Sequence, residues 1–147
     1  MTLPGLDPRW HPVQLRVAVP PRPDALATAR HLTRAFLALR TSADGPPAPE
    51  AVVEDALLLV TELVSNALRH APGLCRLRLS LYPYRLIVEV EDSSPVLPKL
   101  RPADLTGRGG GVGLNAVHRL AAHVRTVPLT GAGKRVEAEL DWLGSIG

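Results

Sequence analysis

Glu62 and Asn66 stand four residues apart in the run Glu62-Leu63-Val64-Ser65-Asn66-Ala67-Leu68-Arg69-His70, a spacing that projects both side chains from one side of a helix. A carboxylate there can orient or deprotonate an attacking hydroxyl, and an amide oxygen is a hard ligand suited to Mg²⁺. Asp92, followed by Ser93-Ser94-Pro95, ends a strand-like run. An ionised carboxylate only accepts hydrogen bonds, so Asp92 suits an exocyclic amine such as that of adenine. The run Gly107 to Gly113 holds five glycines in seven positions ahead of good helix formers. Glycine lets backbone N–H groups approach phosphate oxygens, and a helix N-terminus favours anions. Each feature alone has an ordinary counterpart: a solvated helix face, a turn-forming Asp, a flexible loop. No Gly-Lys-Ser/Thr follows the glycines and no strand precedes them, which excludes a Walker loop and a Rossmann fingerprint in its proper place.

These residues need elements to hold them, and the hydrophobic pattern supplies a set. Val13 to Val19 alternates like a strand with one buried face, and Pro20, Pro21 and Pro23 end it. Asp24 is placed to cap a helix whose apolar residues, from Leu26 through Phe36 and Leu37 to Leu39, recur at three- and four-residue steps until about Arg40. Thr41 to Pro49 is a loop. Glu50 to Ala71 reads as a long helix closed by Pro72-Gly73. Its stripe of Leu57, Val60, Val64, Ala67, Leu68 and Ala71 opposes Glu62, Asn66 and Arg69, and Leu58 and Leu59 flank the polar side. Leucines beside a polar stripe point to a covered cavity.

Leu74 to Leu81 and Arg85 to Asp92 alternate on either side of Tyr82-Pro83-Tyr84, the pattern of an antiparallel hairpin. The aperiodic, proline-containing connection from Ser93 to Arg108 is read as a lid. A helix follows from Leu114 to Ala122. Val124 to Pro128 and Arg135 to Leu140 are expected to pair around Thr130-Gly131-Ala132-Gly133.

The 147 residues, 46% hydrophobic and 21% charged, fit one compact domain. One cysteine, Cys75, excludes an intramolecular disulfide and is expected to be a small core residue in a reducing, cytoplasmic setting. Met1 to Trp10 lacks the apolar core of a signal peptide, and no stretch approaches the roughly 20 apolar residues of a membrane helix, so a soluble chain is expected. The excess of three positive charges is spread along the chain. With five aromatic residues (Trp10, Phe36, Tyr82, Tyr84, Trp142), that spread argues against nucleic-acid binding. His31 lacks an acidic neighbour, and His118 and His123 are five apart, a spacing that puts no pair of zinc ligands on one helix face.

Taken in order, a Glu-x-x-x-Asn helix, an Asp after a hairpin strand, a lid and a Gly-rich helix start resemble the GHKL (Bergerat-fold) ATP-binding domain of sensor histidine kinases, Hsp90-type chaperones, DNA gyrase and MutL. The single-domain branch of anti-sigma-factor serine/threonine kinases and their actinobacterial relatives is the nearer resemblance. Glu62 to Ala71 resembles that branch's N box, Asp92-Ser93-Ser94-Pro95 its G1 box and Gly107 to Leu114 its G2 box, over about Val13 to Trp142. The resemblance implies an α/β (α+β) two-layer sandwich over residues 13–142, with a mixed, mostly antiparallel sheet, helices on one face, and tails at 1–12 and 143–147.

The same resemblance implies Glu62 as catalytic base, Asn66 as Mg²⁺ ligand and Asp92 as adenine-recognising carboxylate. Gly109, Gly111, Gly113 and Leu114 then belong to the phosphate loop, with Arg108 a phosphate contact. ATP and Mg²⁺ are the implied cofactors. The implied partner is a STAS-type anti-anti-sigma protein, with a sigma factor as a further partner and a homodimer left open. A non-catalytic ATP-dependent binding module is the alternative. Two departures stand out: Gly133-Lys134-Arg135 replaces the Gly-Lys-Thr of many relatives, and the glycine run is richer than usual.

Overall fold

The computed structural model describes residues 11–39, 46–94 and 123–142. The lid beyond Ser94, the glycine run with Arg108, Gly109, Gly111, Gly113 and Leu114, and the helix expected up to Ala122 lie outside the described residues. The elements run β1 (Val13–Val19), α1 (Ala25–Ala38), α2 (Glu50–His70), β2 (Cys75–Tyr82), β3 (Arg85–Asp92), β4 (His123–Pro128) and β5 (Lys134–Asp141). Among the described residues five strands form one sheet in the order β1-β2-β3-β5-β4, and each of their four pairings is antiparallel. This is the two-layer sandwich expected, with α1 and α2 packed together and α2 laid on β2, β3 and β5.

Period-two alternation determines which face the helices cover. Cys75, Leu77, Leu79 and Leu81 of β2, Leu86, Val88 and Val90 of β3, and Val136, Ala138 and Leu140 of β5 are buried on one face. Register keeps them together: Leu77 faces Val90, Leu79 faces Val88, and Val88 faces Ala138. From α2 the same core receives Val53, Ala56, Leu57, Leu59, Val60, Leu63, Val64 and Ala67, and from α1 Ala29, Phe36 and Leu37. Each fully buried Leu or Val contributes roughly 1.5–3 kcal/mol. The apolar stripe of α2 is therefore broader than expected: Leu59 and Leu63 lie in the core, while Leu58 and Leu68 are half-buried at its margin.

The other face of the sheet is a lattice of opposite charges. Arg78 of β2 forms a fork with Glu89 of β3, its Nη2 donating to Oε1 at 2.7 Å. Glu137 of β5 accepts from Arg125 Nη2 at 2.7 Å and from Arg135 Nε at 2.8 Å. Burial pushes the Glu137 carboxyl up, but these guanidiniums outweigh it and hold it below the usual carboxylate range. Arg85 Nε reaches Glu139 Oε1 at 2.7 Å.

Helix ends differ in detail from expectation. Asp24 occupies the N-cap of α1, yet its side chain makes no capping hydrogen bond; its backbone carbonyl accepts from the Thr28 N–H at 2.9 Å. Pro49 precedes α2 and Glu50 supplies a negative charge to its first turn, while Arg69 complements the dipole in its last. No helix of the described residues is long and apolar enough to cross a membrane.

Candidate functional site

The core residues of α2 fix its rotation, and that rotation sets the place of Glu62 and Asn66. With Leu59, Leu63 and Ala67 packed inward, Glu62, Ser65 and Asn66 lie half-buried beside Leu58, whereas Arg69 and His70 are exposed. Arg69 Nη2 donates to Ser65 Oγ at 3.3 Å on this side. A half-buried carboxylate and amide one helical turn apart suit a hydrated divalent cation and a proton acceptor.

Asp92 is the last residue of β3, and its side chain points to the helix-covered face together with Val88 and Val90. Ser93 Oγ donates to the Pro72 carbonyl at 2.9 Å, fastening this strand end to the segment that follows α2. The chain thereby joins the C-terminal end of the Glu62–Asn66 helix to the neighbourhood of Asp92. Asp92 Oδ1 also accepts from the Ser94 N–H at 2.9 Å, closing a local turn.

Lys134, noted in the sequence only as part of the Gly133-Lys134-Arg135 turn, has a place in the site that sequence reasoning missed. It begins β5 opposite Asp92, and its Nζ donates to Asp92 Oδ1 at 2.9 Å and to the Ser94 carbonyl at 3.3 Å. Both side chains are 2% exposed, so this is a fully buried ion pair. Gly133 makes the approach possible. It has φ +97°, and a Cβ there would lie 2.3 Å from the Asp92 carbonyl oxygen. A signal was present in the sequence: Lys134, Val136, Ala138 and Leu140 alternate, which places the lysine on the core face once the strand is extended by one residue.

Two of the clefts lined by described residues leave out Glu62, Asn66 and Asp92. One of about 340 Å³ lies over the charged face of the sheet, between Arg16, Arg76, Arg78, Glu89 and Glu91. The other, of about 220 Å³, lies between the end of β1 and the start of α1. His31 is exposed on α1, and Cys75 is buried with its thiol pushed up to about 11, chiefly by desolvation.

Residues 19–140 match the model of the histidine kinase-like ATPase domain, and the chain belongs to that family. No curated protein matches the chain. Among solved structures, the RsbU and RsbW domains of Rv1364c from Mycobacterium tuberculosis have a similar fold, with TM-score 0.62 at 18% identity. The match covers 88% of this chain and 32% of that one, so the chain spans about a third of the neighbour's length.

Family membership implies ATP, usually with Mg²⁺, and the residues fit the two ends of such a ligand differently. Glu62 and Asn66 fit the metal and phosphate end, being polar, half-buried and one turn apart. Asp92, expected from the sequence to meet the base, has the acceptor chemistry required, but its Oδ1 already serves Lys134 and Ser94.

Proposed function

We propose that the chain is a Mg²⁺-dependent, ATP-binding regulatory protein kinase that phosphorylates a serine or threonine of a STAS-type anti-anti-sigma partner. One observation carries the reading: within a histidine kinase-like ATPase domain, α2 keeps Glu62 and Asn66 one turn apart on a half-buried polar side. When bound, Mg·ATP supplies the transferable phosphoryl group. Glu62 orients the partner hydroxyl and takes its proton, Asn66 offers its amide oxygen to the metal, and Asp92 accepts from the base amine. Arg108, Gly109, Gly111, Gly113 and Leu114 form the phosphate loop in this reading. Positioning and charge stabilisation, more than covalent chemistry by the protein, drive such a transfer. A sigma factor as a second partner and a cytoplasmic location belong to the same proposal, with a homodimer left open; the fold likeness to a chain that contains an RsbW domain supports the kinase-like architecture.

The buried Asp92–Lys134 pair favours a second reading, a non-catalytic module that sequesters a sigma factor or other regulator. Incubation with labelled ATP and STAS proteins of the same genome separates the two. The kinase reading expects a phosphorylated partner, and Glu62→Gln is expected to retain nucleotide binding while transfer slows by about 10² to 10⁴, the usual contribution of a general base. Transfer by Glu62→Gln at the parental rate would remove Glu62 from catalysis. ATP binding with no partner phosphorylated would establish the module instead.

A further inference from the structure

We infer that Lys134 is an internal competitor for the nucleotide base: its ammonium holds the place on Asp92 that a base amine would take, and affinity for adenine nucleotides is set by exchange between the two donors. The inference rests on the reading of Asp92 as the base-recognising carboxylate.

Three features of the structure support it. Lys134 Nζ and the Ser94 N–H both reach Asp92 Oδ1 at 2.9 Å, so this oxygen already holds two donors. At 2% exposure, neither Asp92 nor Lys134 is presented to solvent. Nζ also donates to the Ser94 carbonyl, so the lysine bridges the carboxylate and the turn that follows it. This grip reaches the residues leading out of β3 as well as the side chain.

The chemistry then orders the donors. A base amine is a neutral donor, whereas the ammonium is cationic, and a charge-assisted hydrogen bond is roughly twice as strong as a neutral one. Lys134 is also tethered opposite Asp92 by strand register, so it needs no binding event to arrive. A base amine reaches Oδ1 only in the fraction of molecules whose pair has opened, and for recognition through that oxygen the apparent dissociation constant rises by the inverse of that fraction. Removing the ammonium leaves a buried carboxylate short of a donor, a deficit that an incoming amine relieves.

The test is calorimetric titration of the full chain and its Lys134→Met variant with ADP and with GDP, in the presence of Mg²⁺. GDP serves as the control because guanine presents a carbonyl where adenine presents the amine. ADP is expected to bind Lys134→Met at least about tenfold more tightly than the parent, the gain when a competent fraction of one tenth becomes complete. GDP is expected to gain less. Lys134→Gln, which keeps a neutral donor on a side chain one bond shorter, is expected to fall between; it decides the matter if circular dichroism shows Lys134→Met unfolded. Unchanged or weaker ADP binding in a folded variant, or an equal gain for GDP, overturns the competition. If parent and variants all fail to bind ADP at millimolar concentration, the reading of Asp92 falls and the competition with it. If the parent binds ADP and the variants bind no better, only the competition falls.

Discussion

Replacing Lys134 with Met removes the ammonium 2.9 Å from Asp92 Oδ1 while keeping an unbranched chain in the same slot. At an effective dielectric of about 20 the direct attraction at this distance is roughly 6 kcal/mol, and desolvation costs several kcal/mol for each ion. The pair is therefore worth little relative to a hydrophobic substitute. Breaking it from one side is different: the Asp92 carboxylate stays buried with the Ser94 N–H as its described donor, a state that costs about 3–5 kcal/mol. Against a total stability of about 5–15 kcal/mol for a domain, this is a large fraction. Urea unfolding at pH 7 should show Lys134→Met and Asp92→Leu each destabilised by that amount. The double variant should return to within about 1–2 kcal/mol of the parent or exceed it. A single variant that loses less than about 1 kcal/mol, or a double variant as unstable as the sum of the singles, would refute the reasoning.

Gly131→Ala and Gly133→Ala should separate two costs in thermal melts. Gly131 has φ +94° with open space around it, so alanine there should cost only the left-handed penalty of about 1–2 kcal/mol; Gly133→Ala should cost clearly more because its Cβ meets the Asp92 carbonyl at 2.3 Å. Cys75, 1% exposed, should resist a thiol reagent in the native chain and react on unfolding. Because burial raises its thiol from 9.0 to about 11, the native state holds a proton that the unfolded state releases across that window. Its contribution is thus complete below pH 9 and lost as pH rises toward 11, roughly 2–3 kcal/mol in all, and the urea midpoint of Cys75→Ala should fall less steeply there than the parent's. Asn66→Ala should weaken ADP binding in Mg²⁺ without lowering the melting temperature, and equal parental affinity in Mg²⁺ and in chelator would remove Asn66 from the metal.

Local pattern carried much of the fold. Val13–Val19 and Arg85–Asp92 have the bounds their alternation indicates, because in both one face meets the core and the other does not. The helix holding Glu62 and Asn66 was legible from its caps and periodicity, although Leu59 and Leu63 broaden its buried side beyond a single stripe. Pairing was harder to read. Nothing local tells β5 to insert between β3 and β4, and only that insertion puts Lys134 against Asp92. Beside Gly131-Ala132-Gly133 the lysine has the look of a turn residue, and its burial depends on a carboxylate 42 positions earlier. The charged lattice is hidden for the same reason, since Arg78, Glu89 and Glu137 become neighbours only through register.

The sheet order also bears on how the chain is made. During synthesis β2 and β3 emerge together and can pair as a hairpin, but the strand that belongs beside β3 comes after β4. Until β5 emerges, the nascent sheet has an open edge at β3, and Asp92 has no lysine beside it. Its acidic end then faces the water, chaperone or ribosome surface around it. β5, which emerges after β4, thus closes the open edge of β3 and neutralises the carboxylate in a single docking event, a long-range closure that belongs with slow steps of folding.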